Sequence, residues 1–175
     1  MCYNEIITAC SFPADGGKPA EQEKYHPVGE TEYIMALGKM RVLWLSSKGK
    51  MIGLCEEIMK QYDIKGEPIP PAYNCENEKL VFIGISAGKA APDMLRRFLR
   101  ELNKTRAQNV AFLMDAPKPV ADMLMQQCVD AGTHVMDEVF YYNPGFSLPF
   151  MKGISAEDKE KVLAWAKKCV DEVHQ

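Results

Sequence analysis

Two serines, two lysines and a glycine stand together as Ser46, Ser47, Lys48, Gly49 and Lys50, between an apolar run and a segment of helical periodicity. Hydroxyls and backbone N–H groups at a helix start suit a phosphate, because the first turn leaves its N–H groups unpaired and the helix dipole favours an anion there. Lys48 and Lys50 would add positive charge. The same residues also read as a tight turn with solvated lysines. They form neither GxGxxG nor GxxxxGKS/T, so the usual dinucleotide and triphosphate loops are absent. Two more turns follow apolar runs in the same way: Ser86–Ala90, which contains Ala87 and Gly88, and Asp115–Lys118.

Other reactive residues are scattered. Ser46, Ser47 and Ser86 would need a base, and the candidate, His134, is expected at the start of a strand, on the opposite sheet edge from those serines, so no triad is suggested. Asp93 and Asp115 lie near the turns as isolated carboxylates. Six cysteines fall singly, without CxxC, and three histidines show no zinc spacing. Cys55, Cys128 and Cys169 sit in helical patterns and read as small packed hydrophobes. No catalytic residue and no metal ligand is assigned.

The elements that must position these turns repeat. Val42–Leu45 is a short apolar run, followed by Ile52, Cys55, Ile58 and Met59 at helical spacing. Tyr62–Pro71 reads as a weak strand or extended linker. Leu80–Ile85 is the strongest strand, and the helix after Pro92 offers Met94, Leu95, Phe98, Leu99 and Leu102 as its apolar face. Val110–Met114 is a further strand, Val120–Val129 a helix closed by Gly132, and Thr133–Tyr142 a longer extended segment. Ser155 and Asp158 open a last helix with the apolar stripe Val162, Leu163, Ala166, Cys169, Val170 and Val173. Near-continuous apolar strands alternating with helices predict an α/β fold: an open, doubly wound parallel sheet of about five strands in a three-layer α/β/α sandwich. In such sheets ligands bind beyond the carboxyl ends of the strands, where all three turns fall. Residues 1–39, with a candidate strand at Asn4–Phe12, a Pro/Gly-rich stretch and a second short strand or turn of helix at Tyr33–Leu37, are expected to form an N-terminal extension packed on a main domain of residues 40–175.

Residues 42–58, VLWLSSKGKMIGLCEEI, resemble the opening strand, phosphate loop and first helix of flavodoxins, whose loop commonly reads S/T-x-T-G-N-T. Residues 80–102, LVFIGISAGKAAPDMLRRFLREL, resemble the third strand and following helix of that family, with Gly84, Ser86, Pro92, Phe98 and Leu99 in its frame. The resemblance implies FMN as cofactor and electron transfer, or flavin-dependent reduction of a small acceptor such as a quinone. Ser46, Ser47, Lys48, Gly49 and Lys50 would hold the phosphate; Ser86, Ala87, Gly88 and Asp115 would line the ring. The departures are Lys48, Lys50 and Met51 in the phosphate loop, and the lack of any aromatic in SAGKAA and DAPKP, which leaves open a non-redox binding or regulatory module on the same fold. Five aromatics instead crowd residues 140–150: Phe140, Tyr141, Tyr142, Phe146 and Phe150. They suit intrachain packing, a subunit interface such as a homodimer, or cover for a flat ligand.

Composition removes other partners. Among 175 residues, 21 basic and 24 acidic side chains give a formal net charge of −3, without the basic tract a nucleic-acid binder needs. No apolar run approaches a membrane span, and the first residues carry no positive n-region, so a cytoplasmic location is the default expectation.

Overall fold

The computed structural model of the chain describes residues 38–143 and 153–173. Expectations for residues 1–37, including most of the N-terminal extension, and for most of the loop with Phe146 and Phe150 lie outside the described residues.

Strand β1 (Met40–Leu45) leads into helix α1 (Gly49–Tyr62) and a three-residue strand β2 (Gly66–Pro68). Strand β3 (Glu78–Ser86) follows, then α2 (Asp93–Glu101), β4 (Ala107–Asp115) and α3 (Lys118–Asp130). Two short strands, β5 (His134–Val135) and β6 (Phe140–Tyr141), precede α4 (Ala156–Val173). The sheet order is β2-β1-β3-β4-β5, with β6 also on β4, and every pairing is parallel. This is an open doubly wound sheet, with its reversal of strand order between β1 and β3.

Both faces of that sheet are buried. On β3, Leu80 and Phe82 face α1 and α4, whereas Val81, Ile83 and Ile85 face α2 and α3. The period-two alternation of a strand therefore meets apolar partners on each side, which explains the unbroken run LVFIGI. One face carries Leu54, Cys55 and Ile58 of α1 with Val162, Trp165 and Ala166 of α4. The other carries Leu95 and Leu99 of α2 with Leu124 and Cys128 of α3. Met94, expected on the α2 core face, is 45% exposed, because this nine-residue helix turns Leu95 and Leu99 to the sheet instead.

Helix α1 lies unusually close to β3 at one point. A Cβ added to Gly84 would meet Cys55 Sγ at 2.5 Å, so glycine here is a packing requirement. The helix ends follow the sequence signals. After α3, Gly132 adopts φ +90°, donating to Val129 O while Thr133 N–H donates to Cys128 O, a pairing that satisfies the last carbonyls. Ser155 Oγ accepts from Asp158 N–H at 3.1 Å at the start of α4.

The extended segment 133–142 is interrupted. Asn109 pairs with His134 and Leu113 with Phe140, so four steps along β4 match six along its neighbour. Within the break, Glu138 O accepts from Trp165 Nε1 at 2.8 Å, and Phe140 packs on Trp165 with ring centroids 5.6 Å apart.

Two outcomes follow from these contacts. Gly84→Ala lowers unfolding free energy by about 1–3 kcal/mol through overpacking, and Cys55→Ala in the same chain restores most of it, as read by urea denaturation. Glu57 accepts from Lys159 of α4 at 3.1 Å, and chiefly that bond holds its carboxyl below the ordinary value of 4.5. A depressed carboxylate contributes stability that is full above the unfolded value and is lost as pH falls through the folded one. Glu57→Gln should therefore lose less stability than the parent between neutral and strongly acidic pH in the same urea experiment.

Candidate functional site

A parallel sheet sends the carboxyl ends of β1, β3 and β4, and the amino ends of the helices that follow them, to one edge. Register places the ends level: Leu45 beside Ile85, and Ser86 beside Asp115. Three predicted turns thus meet. Ser46 Oγ donates to Ser86 Oγ at 2.9 Å and accepts from Lys48 N–H at 2.9 Å. Lys48 Nζ reaches across the end of β3 to Asp115 Oδ2 at 2.6 Å. Ala87 N–H donates to Asp115 O at 3.0 Å, fixing the second turn against the third.

Helix α1 starts with Lys48 at its N-cap, no side-chain cap and no acidic residue in its first turn. Its first backbone N–H groups consequently face this edge with the positive end of the dipole behind them. Ser47, Lys48 and Gly49 are exposed and Lys50 is half-buried. Met51 is not part of the site, since its side chain is 1% exposed and packs in the core beneath Gly84.

Alongside lies an open cleft of about 450 Å³. Ala87, Gly88 and Asp115 line it, joined by Pro117 and Tyr141. Tyr141, 48% exposed, had no claim in the sequence beyond its place among five clustered aromatics. It arrives because β6 pairs with the end of β4, Tyr141 against Met114. Its neighbour Phe140 turns the other way, into the core on α4, and Tyr142 packs in that core while also bordering the cleft. Tyr142 is held above the ordinary phenol range, first by burial and then by Asp158. The structure thus gathers Ser46, Lys48, Ser86 and Asp115 into one bonded set. It leaves Ser47, Gly49 and Lys50 at the helix start and puts Ala87 and Gly88 with Asp115 in the cleft.

Other chemistry is absent from this edge among the described residues. His134 begins β5 at the opposite edge, its Nδ1 3.0 Å from Asn109 Oδ1. Burial pushes the thiols of Cys55, Cys128 and Cys169 up to about 12 and that of Cys75 to about 11, so none is a thiolate nucleophile near neutrality.

No protein-family model matches the sequence, and no curated protein matches it. Among solved structures, the chain is similar to a flavodoxin from the domain Archaea, with 13% identity and a TM-score of 0.51 over 78% of this chain and 99% of that one. The fold is flavodoxin-like. At that identity the likeness concerns the fold alone. Among the described residues no helix is long and apolar enough to cross a membrane.

Lys48 is more than half exposed in its bridge to Asp115, and such pairs contribute at most about 1 kcal/mol. Lys48→Met should therefore change unfolding free energy by less than about 1 kcal/mol in urea melts, which leaves the residue free for a ligand-directed test.

Proposed function

We propose that this flavodoxin-like chain binds FMN at the carboxyl edge of its sheet and acts as an electron-transfer protein or a small flavin-dependent reductase. The observation that carries the reading is the uncapped, acid-free start of α1 at the β1/β3 reversal, faced by hydroxyls and lysines. The backbone N–H groups of Gly49 and Lys50, the hydroxyls of Ser46 and Ser47, and the ammonium groups of Lys48 and Lys50 would hold the phosphate. Ser86, Ala87, Gly88 and Asp115 would line the ring, with Tyr141 supplying the aromatic face that the two flanking turns lack. FMN, when bound, supplies the redox chemistry; the protein contributes binding, orientation and local charge. The partner would be a redox protein or a small acceptor such as a quinone.

Lys48 has two acidic claimants in this reading. In the free protein it pairs with Asp115; with a phosphate dianion nearby it would turn to the stronger charge. Removing the Asp115 charge releases it. A second reading, a non-redox binding module, draws on that same bond and on the Ser46–Ser86 bond, which already satisfy two of the polar groups a phosphate would need.

Titration of FMN with the full chain, followed by flavin fluorescence quenching and retention of visible absorbance through desalting, separates the two. The flavin reading expects quenching in the parent, about tenfold weaker affinity in Lys48→Met, tighter affinity in Asp115→Asn, and weaker quenching in Tyr141→Ala. No quenching in either the parent or Asp115→Asn would sink the flavin reading and leave the non-redox module.

A further inference from the structure

The crossovers β1–β2, β3–β4 and β4–β5 each carry a helix, the usual way of joining parallel strands. The crossover from β2 to β3 carries none. It has to pass β1, which pairs with both strands, and it does so in residues 69–77 with Pro70 and Pro71 near its start. Ile69 and Cys75 place it on the α2/α3 side, in one cluster with Leu43 of β1. Beside α2, this side of the sheet is thus covered by a loop where the other crossovers supply a helix.

A groove of about 420 Å³ separates that loop from α2. Pro70, Pro71 and Asn74 wall it on one side, Met94 and Phe98 on the other. Met94 is 45% exposed, and Tyr73, next to Asn74 in the loop, is 76% exposed. Two carboxylates border the groove, and both are engaged: Asp93 by Arg96 and Glu101 by Arg106. With Arg97 the single further charge, the surface suits an uncharged apolar segment.

The chain brings such a segment to this place. Arg41 of β1 donates from Nη1 to Tyr73 O at 2.9 Å, so one side chain ties the start of β1 to the loop. Just before β1, Tyr33, Ile34, Met35, Ala36 and Leu37 form an uncharged apolar run, and only residues 38 and 39 lie between. Five extended residues span about 17 Å. The nine residues of α2 rise about 14 Å, so the run is long enough to follow the helix. A segment on so short a tether meets the groove at an effective concentration of about millimolar, which a separate partner would have to exceed.

We propose that residues 33–37 of this chain lie in the groove between α2 and the 69–77 loop and complete the cover of the sheet on that side. The inference is independent of the carboxyl-edge cleft and stands whether or not that cleft takes FMN.

The test is methionine oxidation of the full chain by dilute hydrogen peroxide, read by peptide mass spectrometry, since a thioether oxidises where solvent reaches it. Met123 on α3, 37% exposed, is the internal standard. An open groove would let Met94 oxidise at least as fast as Met123. A filled groove slows Met94 at least about threefold relative to Met123. Ile34→Glu combined with Met35→Glu should abolish that protection, and so should Tyr73→Lys, which alters an exposed side chain outside the core. Met123 should keep its parent rate in both, as it does only if the fold is intact. Met94 oxidising as fast as Met123 in the parent, or protection that survives either variant, would overturn the proposal. Protection that fades on dilution would do the same, because a second copy would then be the occupant.

Discussion

A sheet whose strands all run one way, closed by helices on both faces, has only its two edges left for polar function. Every described strand pairs in parallel, and two core clusters fill both faces of the sheet. The carboxyl edge collects the three turns and the amino ends of the helices that follow them. It is therefore the place where unpaired backbone N–H groups accumulate with a common direction. The hydroxyl bond between Ser46 and Ser86 and the Lys48–Asp115 bridge are consequences of that crowding: strands β1 and β4 are not neighbours, and only their ends come within reach of one another across β3.

Close packing beneath the edge sets how firmly it is held. Gly84 lets α1 settle onto β3, and Met51 fills the space beside it. The first turn of α1 is thus anchored from below by an apolar side chain, while its upper side carries serines and lysines. Departures from the flavodoxin loop pattern divide along this line. Met51 serves the core, whereas Lys48 and Lys50 remain at the edge.

Much of this was legible from residue patterns, and the failures have physical causes. Strand β3 is apolar on both faces and cannot be mistaken for an amphipathic element. Strand β2, reading Gly-Glu-Pro, falls inside the stretch Tyr62–Pro71 that reads as a weak strand or linker; its signal is weak because it has no apolar signature and exists through its pairing with Val42–Trp44. Met94 fits helical periodicity, yet α2 is short and its sheet face is already filled. Among the site residues, the turns could be found because small residues follow apolar runs abruptly. The Lys48–Asp115 bond could not, since its partners lie 67 residues apart. Tyr141 looked no different from Phe140 and Tyr142; only the register of β6 separates the exposed ring at the cleft from the two rings packed in the α1/α4 core.

That register comes from the break at Asp137 and Glu138, where the outer strand gains two residues on β4. Side chains on a strand alternate with a period of two, so an even gain preserves which residues point to which face. Met136, Phe140 and Tyr142 all belong to the α1/α4 side, and Val135 and Val139 to the other. Had the gain been one residue, Tyr141 would lie in the core and Phe140 in the cleft, with no change in composition. The outer strand is consequently quantised in pairs: a lineage of this fold can lengthen or shorten it by two and keep its cleft, whereas a single insertion exchanges core for surface in one step.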